Sequence, residues 1–193
     1  MTELKTIPSY FTSCIMQNFE LDGMKIRLFK NKVLKITKGD VARVYKLPNG
    51  NKRVNLKSVK KEDCDKLRVE FGLKKSVKST KIQVKEFEAA MDNIEDDNLW
   101  VKAAILFFIS SVLCPQGHEV ISLKYASIIE DIEAIKDYDW CGHVLHHLPK
   151  GIKNKFDKYP NANFHFLLIN YWDRMGKGSP LGMGKFTPPT CHG

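Results

Sequence analysis

The chain opens with an apolar stripe at helical spacing. Ile7, Tyr10, Phe11, Cys14, Ile15 and Phe19 fall at i, i+3, i+4, i+7, i+8 and i+12, so they share one face of an amphipathic helix, and Asp22-Gly23 ends it. The period then changes to two. "MKIRLFKNKVLKI" (24–36) predicts two short strands about Lys30-Asn31-Lys32, with Ile26 and Leu28 on one and Val33, Leu34 and Ile36 on the other. A lone hairpin is marginal in water, so this one must pack on helices. "ITKGDVARVYKLPNG" (36–50) spells a short helix with both ends marked. Thr37 is the N-cap, and Asp40 is the acid of a T-x-x-D capping box near the positive end of the helix dipole. Val41, Val44 and Tyr45 form its apolar stripe, and Leu47-Pro48 with Asn49-Gly50 stops it.

Helical spacing returns further on. One helix is predicted from about Lys61 to Phe71, with Cys64, Leu67 and Phe71 inward and Gly72 as its stop. Another covers about Val84 to Ile94, with Phe87, Met91 and Ile94 inward. A third starts at 96–98, runs to Leu113 and is stopped by Pro115-Gln116-Gly117; its run "AAILFFISSVLC" has 12 residues, against the roughly 20 a bilayer span needs. "SLKYASIIEDIEAIKDY" puts Tyr125, Ile128, Ile129, Ile132 and Ile135 on one helical face. Asp139 caps a helix beginning at Trp140, with Val144, Leu145 and Leu148 inward, and Pro149 and Gly151 break or kink it. "NFHFLLINYWDR" reads as a last helix or a strand. The pattern predicts a mainly α fold, α+β through its small N-terminal β-hairpin: one compact helical domain over 1–174, then a flexible Gly/Pro-rich tail over 175–193.

Charge adds an asymmetry to this picture. The formal net charge of the 193 residues is +9; residues 1–90 hold 21 Lys/Arg against 10 Asp/Glu, and residues 91–193 hold 10 against 12. An excess of this kind permits an acidic partner such as nucleic acid. Arg43, Lys46, Lys52, Arg53, Lys57, Lys60 and Lys61 cluster after the hairpin and are the candidate phosphate contacts. The five cysteines are widely spaced with no CxxC, which suits a reduced intracellular protein, nuclear or cytoplasmic, and "MTELKTIPSYF" has no basic n-region or apolar h-region of a secretory signal.

Candidate chemistry is sparse. Gly176, Gly178, Gly182 and Gly184 lack the spacing of a phosphate loop, and Lys185 is followed by Phe186 rather than Ser or Thr. Cys141, His143, His146 and His147 are the best metal candidates, with His143 and His147 four apart on one helix face and Cys114 or His118 as additional ligands. No Glu follows the first histidine to act as a base, and Val144, Leu145 and Leu148 already explain the helix as an ordinary amphipathic one. Glu130, Asp131 and Glu133 read as a solvated helix face rather than paired catalytic acids. The expectation is a protein with no catalytic residues and no cofactor.

The order of motifs resembles a known family. "LKITKGDVARVYKLPNG" is similar to the D-V-x-x-V-x-x-L-P-x-G segment of the aminotransferase-like plant mobile domain and its transposon-associated relatives, and the hairpin from Lys25 to Ile36 fits before it. "FFISSVLCPQGHEVISLKYASIIEDIEAIKDYDWCGHVLHHL" resembles their second signature, and "FHFLLINYWDR" their final apolar segment. Lys46 stands where such domains often carry glycine, and the residues after Met175 have no counterpart. The resemblance implies a mostly helical, non-enzymatic protein derived from mobile elements, acting in silencing or genome maintenance by binding a protein or nucleic acid, and no aminotransferase activity. A stand-alone regulatory or selfish factor of toxin/antidote type, acting through protein contact, is the alternative; a zinc enzyme built on Cys141–His147 is the third.

Overall fold

A computed structural model describes residues 9–27, 32–48, 50–56, 60–74, 80–115, 119–153 and 163–175. The fold is mainly helical with a small β element near the N-terminus, as the sequence predicted; the expected hairpin is part of an antiparallel three-stranded sheet. The chain divides into two units. Unit 1 takes the residues up to Leu47 and returns from Leu145 onward; unit 2 is Pro48–Val144. The predicted tail after Met175 lies outside the described residues.

In unit 1, helix α1 (Ser9–Asn18) buries Cys14 and Ile15 and runs directly into strand β1 (Phe19–Glu20). Phe19, expected on the helix, is buried as the first residue of that strand instead. The reversal at Leu21–Met24 needs two left-handed residues in succession, Gly23 at φ 76° and Met24 at φ 48°. β2 (Lys25–Arg27) and β3 (Val33–Lys35) then pair antiparallel as the expected hairpin strands, Ile26 opposite Leu34, while Val33, expected on the apolar face, is exposed. Phe19, Ile26 and Leu34 face the core, while Lys25, Arg27, Val33 and Lys35 lie on the other face. Helix α2 (Lys38–Tyr45) packs on α8 (Phe164–Met175), so "NFHFLLINYWDR" is helix rather than strand. Phe164, Phe166, Leu167, Leu168, Asn170 and Tyr171 are its buried residues.

Unit 2 is built on helices α3 (Lys61–Glu70), α4 (Val84–Met91) and α5 (Asp97–Phe108), with boundaries close to those predicted. Asp96 caps α5, its carboxylate accepting from the Leu99 amide at 2.7 Å. Gly72 ends α3 with φ 70°. The apolar run departs from expectation at Ile109–Leu113, which winds as a π-helix. Two short strands were missed: β4 (Lys81–Gln83) and β5 (Val120–Ser122), antiparallel with Ile82 opposite Ile121. The long helix expected over 122–138 is broken into a 3-10 turn (Leu123–Tyr125), α6 (Ala126–Ile129) and a second 3-10 turn (Glu133–Asp137). The Asp131 carboxylate accepts from the Ala134 amide at 3.1 Å, a local bond that competes with helix continuation.

Helix α7 (Trp140–Lys153) passes through Pro149 without ending there. The missing N–H is offset by burial: Val144, Leu148 and Ile152 are each at most 1% exposed. Gly50 has a tighter role than the predicted turn. A Cβ there would overlap the Asp137 carbonyl. Next to it, the Lys52 amide donates to Asp137 O at 2.9 Å and the Asp139 amide to Lys52 O at 2.7 Å.

Candidate functional site

The capped helix of the opening motif forms as expected. The Thr37 amide donates to Asp40 Oδ2 at 2.8 Å, and the Asp40 amide to Thr37 Oγ1 at 3.3 Å. Val41 is fully buried, whereas Val44 and Tyr45 are half-buried. Tyr45 leans its ring on Phe166, 6.0 Å between centroids, and donates its hydroxyl to Asn163 Oδ1 at 2.9 Å. Asp40 does more than cap. It is 2% exposed and holds the guanidinium of Arg174, with Nε at 3.2 Å from Oδ1, together with Arg43 Nη2 at 3.0 Å. Burial alone would raise the Asp40 carboxyl, but the hydrogen bonds from Arg174 and Thr37 outweigh it and hold the group below its ordinary value.

This network changes the reading of the predicted basic patch. Arg43 also donates to Asn170 Oδ1 at 2.6 Å, and its Nε lies 2.9 Å from an Asp173 carboxylate oxygen. Its charge is committed to α8. Lys46 takes the left-handed position that closes α2, φ 54°, and is exposed. Glycine would suit that conformation better, so its lysine side chain is carried outward at a backbone cost of order 1 kcal/mol. Lys52, Arg53, Lys60 and Lys61 are exposed but belong to unit 2, and Lys57 lies outside the described residues. Lys52 sits 4.5 Å from the centroid of the Tyr138 ring. The seven predicted residues therefore do not all belong to one unit.

The cationic excess is re-divided along the same boundary. Unit 1 contains 16 Lys/Arg against 6 Asp/Glu, a formal +10; unit 2 contains 15 against 16, a formal −1. Of the six acids in unit 1, Asp40 and Asp173 are engaged by arginines, and Glu20 takes Lys25 at 2.8 Å as well as Arg27. Lys32, Lys35, Lys46 and Lys150 are exposed on this unit.

The Cys–His candidates have other occupations. Cys141 is completely buried, as are Cys64 and Cys114 within 1%. His143 Nε2 is 2.9 Å from the Tyr125 hydroxyl, and its ring stands edge-on to Tyr125 and Trp140. Tyr125 is fully buried, which together with the neighbouring Cys114 pushes its hydroxyl pKa up. Burial lowers His147 to about 4, with Lys150 and His146 adding to the shift. That imidazole is neutral at physiological pH. Among the described residues no three His, Cys, Asp or Glu side chains are grouped to hold a metal ion, and His118 lies outside them. Asp139 does cap α7, accepting from the Gly142 amide at 2.8 Å.

A feature that the sequence did not reveal is a groove of about 620 Å³ in unit 2, between the C-terminal end of α3, the helix α4 and the turn into α5. Phe71, Leu73, Ala90, Ile94 and Leu99 supply its apolar lining. Glu70, Glu86, Glu95 and Asp96 supply its charge, and among the described residues no lysine, arginine or histidine lines it. The four acids are scattered between positions 70 and 96, so only the fold brings them to one opening.

No helix among the described residues is long and apolar enough to cross a membrane. No curated protein and no solved structure matches the chain. Residues 1–165 match the family described as a domain of unknown function (DUF8566), and the chain belongs to that family.

Proposed function

We propose that this chain is a non-enzymatic binding module whose unit 1 holds nucleic acid through its phosphates. The observation that carries the reading is the +10 formal charge of that unit, where Glu20, Asp40 and Asp173 are engaged by arginine or lysine and Lys32, Lys35, Lys46 and Lys150 are exposed. Exposed lysines of this kind give sequence-tolerant, salt-dependent binding rather than base readout. The resemblance to plant mobile-element domains supports a genome-directed role of the silencing or maintenance type, in a nuclear or cytoplasmic setting.

A gel-shift titration against double- and single-stranded DNA and RNA tests it. The expected result is retardation whose affinity falls linearly with the logarithm of salt, by about 0.9 per phosphate contact on duplex. No retardation at low salt would remove the reading. The alternative, a regulatory or selfish factor acting through protein contact, is favoured by the acidic groove of unit 2.

A further inference from the structure

The groove of unit 2 combines three properties that together define a ligand. It is lined by apolar side chains, chiefly Phe71, Ile94 and Leu99. Among the described residues its charge is of one sign, and the acids differ in how far they are engaged. Glu70 has Lys66 at 3.8 Å and Asp96 caps α5, whereas Glu86 and Glu95 are exposed and, among the described residues, form no ion pair. Finally, two helices end against it. α3 closes there, with Gly72 N on Val69 O at 3.0 Å and Leu73 N on Arg68 O at 2.8 Å, and α4 closes with Ile94 N on Met91 O at 3.2 Å. A helix C-terminus carries about half a negative charge, so both ends add to the field of the carboxylates. The N-terminus of α5 has the opposite polarity, and Asp96 sits on it.

We propose that this groove docks a cationic amphipathic segment of a partner protein. Its aliphatic side chains would lie on Phe71, Ile94 and Leu99, and its lysines or arginines would meet Glu70, Glu86, Glu95 and Asp96. Charge complementarity selects this occupant: a polyanion is repelled by four carboxylates and two helix C-termini, and an uncharged peptide would leave Glu86 and Glu95 unmatched. The site is separate from the nucleic-acid surface of unit 1 and stands whether or not that surface binds.

Isothermal titration of the full chain against three short synthetic helical peptides tests it. One carries leucines on one face and lysines on the other, the second has glutamates for lysines, and the third has serines for leucines. The Leu/Lys peptide is expected to bind roughly tenfold or more tightly than either of the others, about 1.4 kcal/mol or more. The double variant Glu86→Lys/Glu95→Lys is expected to invert the preference toward the Leu/Glu peptide. Equal binding of the Leu/Lys and Leu/Glu peptides overturns the proposal, as does a Leu/Lys affinity untouched by the double variant. A groove-dependent dimer in sedimentation that excludes the peptide also overturns it, because the occupant is then a second copy. If circular dichroism shows the double variant unfolded, Ala89→Trp serves instead. Ala89 is an exposed lining residue, and an indole there must abolish Leu/Lys binding by filling the groove.

Discussion

Helices α2 and α4 are both eight residues long, and each carries an acid in its first turn, yet the two acids are used in opposite ways. Asp40 in unit 1 is buried and surrounded by donors from Thr37, Arg43 and Arg174. Glu86 in unit 2 stands exposed at the edge of the groove. In unit 1 three of the six acids are tied to cations, two of them in the pairing of α2 with α8, and Lys32, Lys35, Lys46 and Lys150 are exposed. In unit 2 acids and bases nearly cancel in number, but the fold collects four acids at one opening. Net charge per stretch of sequence is therefore a poor guide to what a surface offers. The partition by folded unit, +10 against −1, is the informative one.

The sharpest way to break the unit 1 side of this comparison is Asp40→Ala. It takes the Asp40 carboxylate from Arg174, leaves Arg43 with Asp173 and Asn170 alone, and removes the reciprocal half of the α2 capping box at once. A buried partner lost from an ion network costs about 3 kcal/mol, the arginines' one-third exposure keeping it from being larger. Chemical denaturation should show that loss; a change under 0.5 kcal/mol would mean the network is incidental. In unit 2 the corresponding test is Gly50→Ala. Its Cβ overlaps the Asp137 carbonyl, so the 50–52 backbone must pull away from the 137–139 segment. A loss of about 2 kcal/mol is expected, read as a thermal midpoint lowered by roughly 4–8 °C.

Acid should act on unit 1 in two steps. His147 has its folded value lowered to about 4 from 6.5, so between those values the unfolded chain takes a proton the native chain refuses. Stability therefore falls as pH drops through that window, by about 1 kcal/mol between pH 7 and 5.5. His147→Gln should flatten this part of the curve. The contribution of Asp40, whose folded value is depressed, is present in full above the ordinary 3.8 and fades as pH falls below it. Urea midpoints across pH 3 to 7 for the two variants separate the steps.

Much of this was legible where local chemistry decides. Thr37 and Asp40 could be read as a capping box because both partners are three residues apart, and Asp139 as a cap for the same reason. Cys64, Leu67 and Phe71 announced their burial by spacing. What escaped depends on distant partners. Nothing near Asp40 in sequence points to Arg174 or Asn170 across more than a hundred residues, so Arg43 looked like a surface cation. β4 and β5 are three residues each and pair across a separation of nearly forty, too short and too far apart for a period-two pattern to register. The break at Ile129–Glu133 was hidden under an isoleucine stripe that fits a helix, because one carboxylate, Asp131, redirects the backbone.

The contrast in charge between the units is tested most directly by two sets of neutralised cations, three in unit 1 and four in unit 2, in the same gel-shift titration. Lys32→Gln/Lys35→Gln/Lys46→Gln strips unit 1, and Lys52→Gln/Arg53→Gln/Lys60→Gln/Lys61→Gln strips the predicted basic segment in unit 2. The account predicts that the first set weakens duplex binding about tenfold or more and lowers the salt slope by about 2 to 3, while the second changes either by less than about threefold. A larger loss from the unit 2 set, with the unit 1 set near wild type, would contradict it.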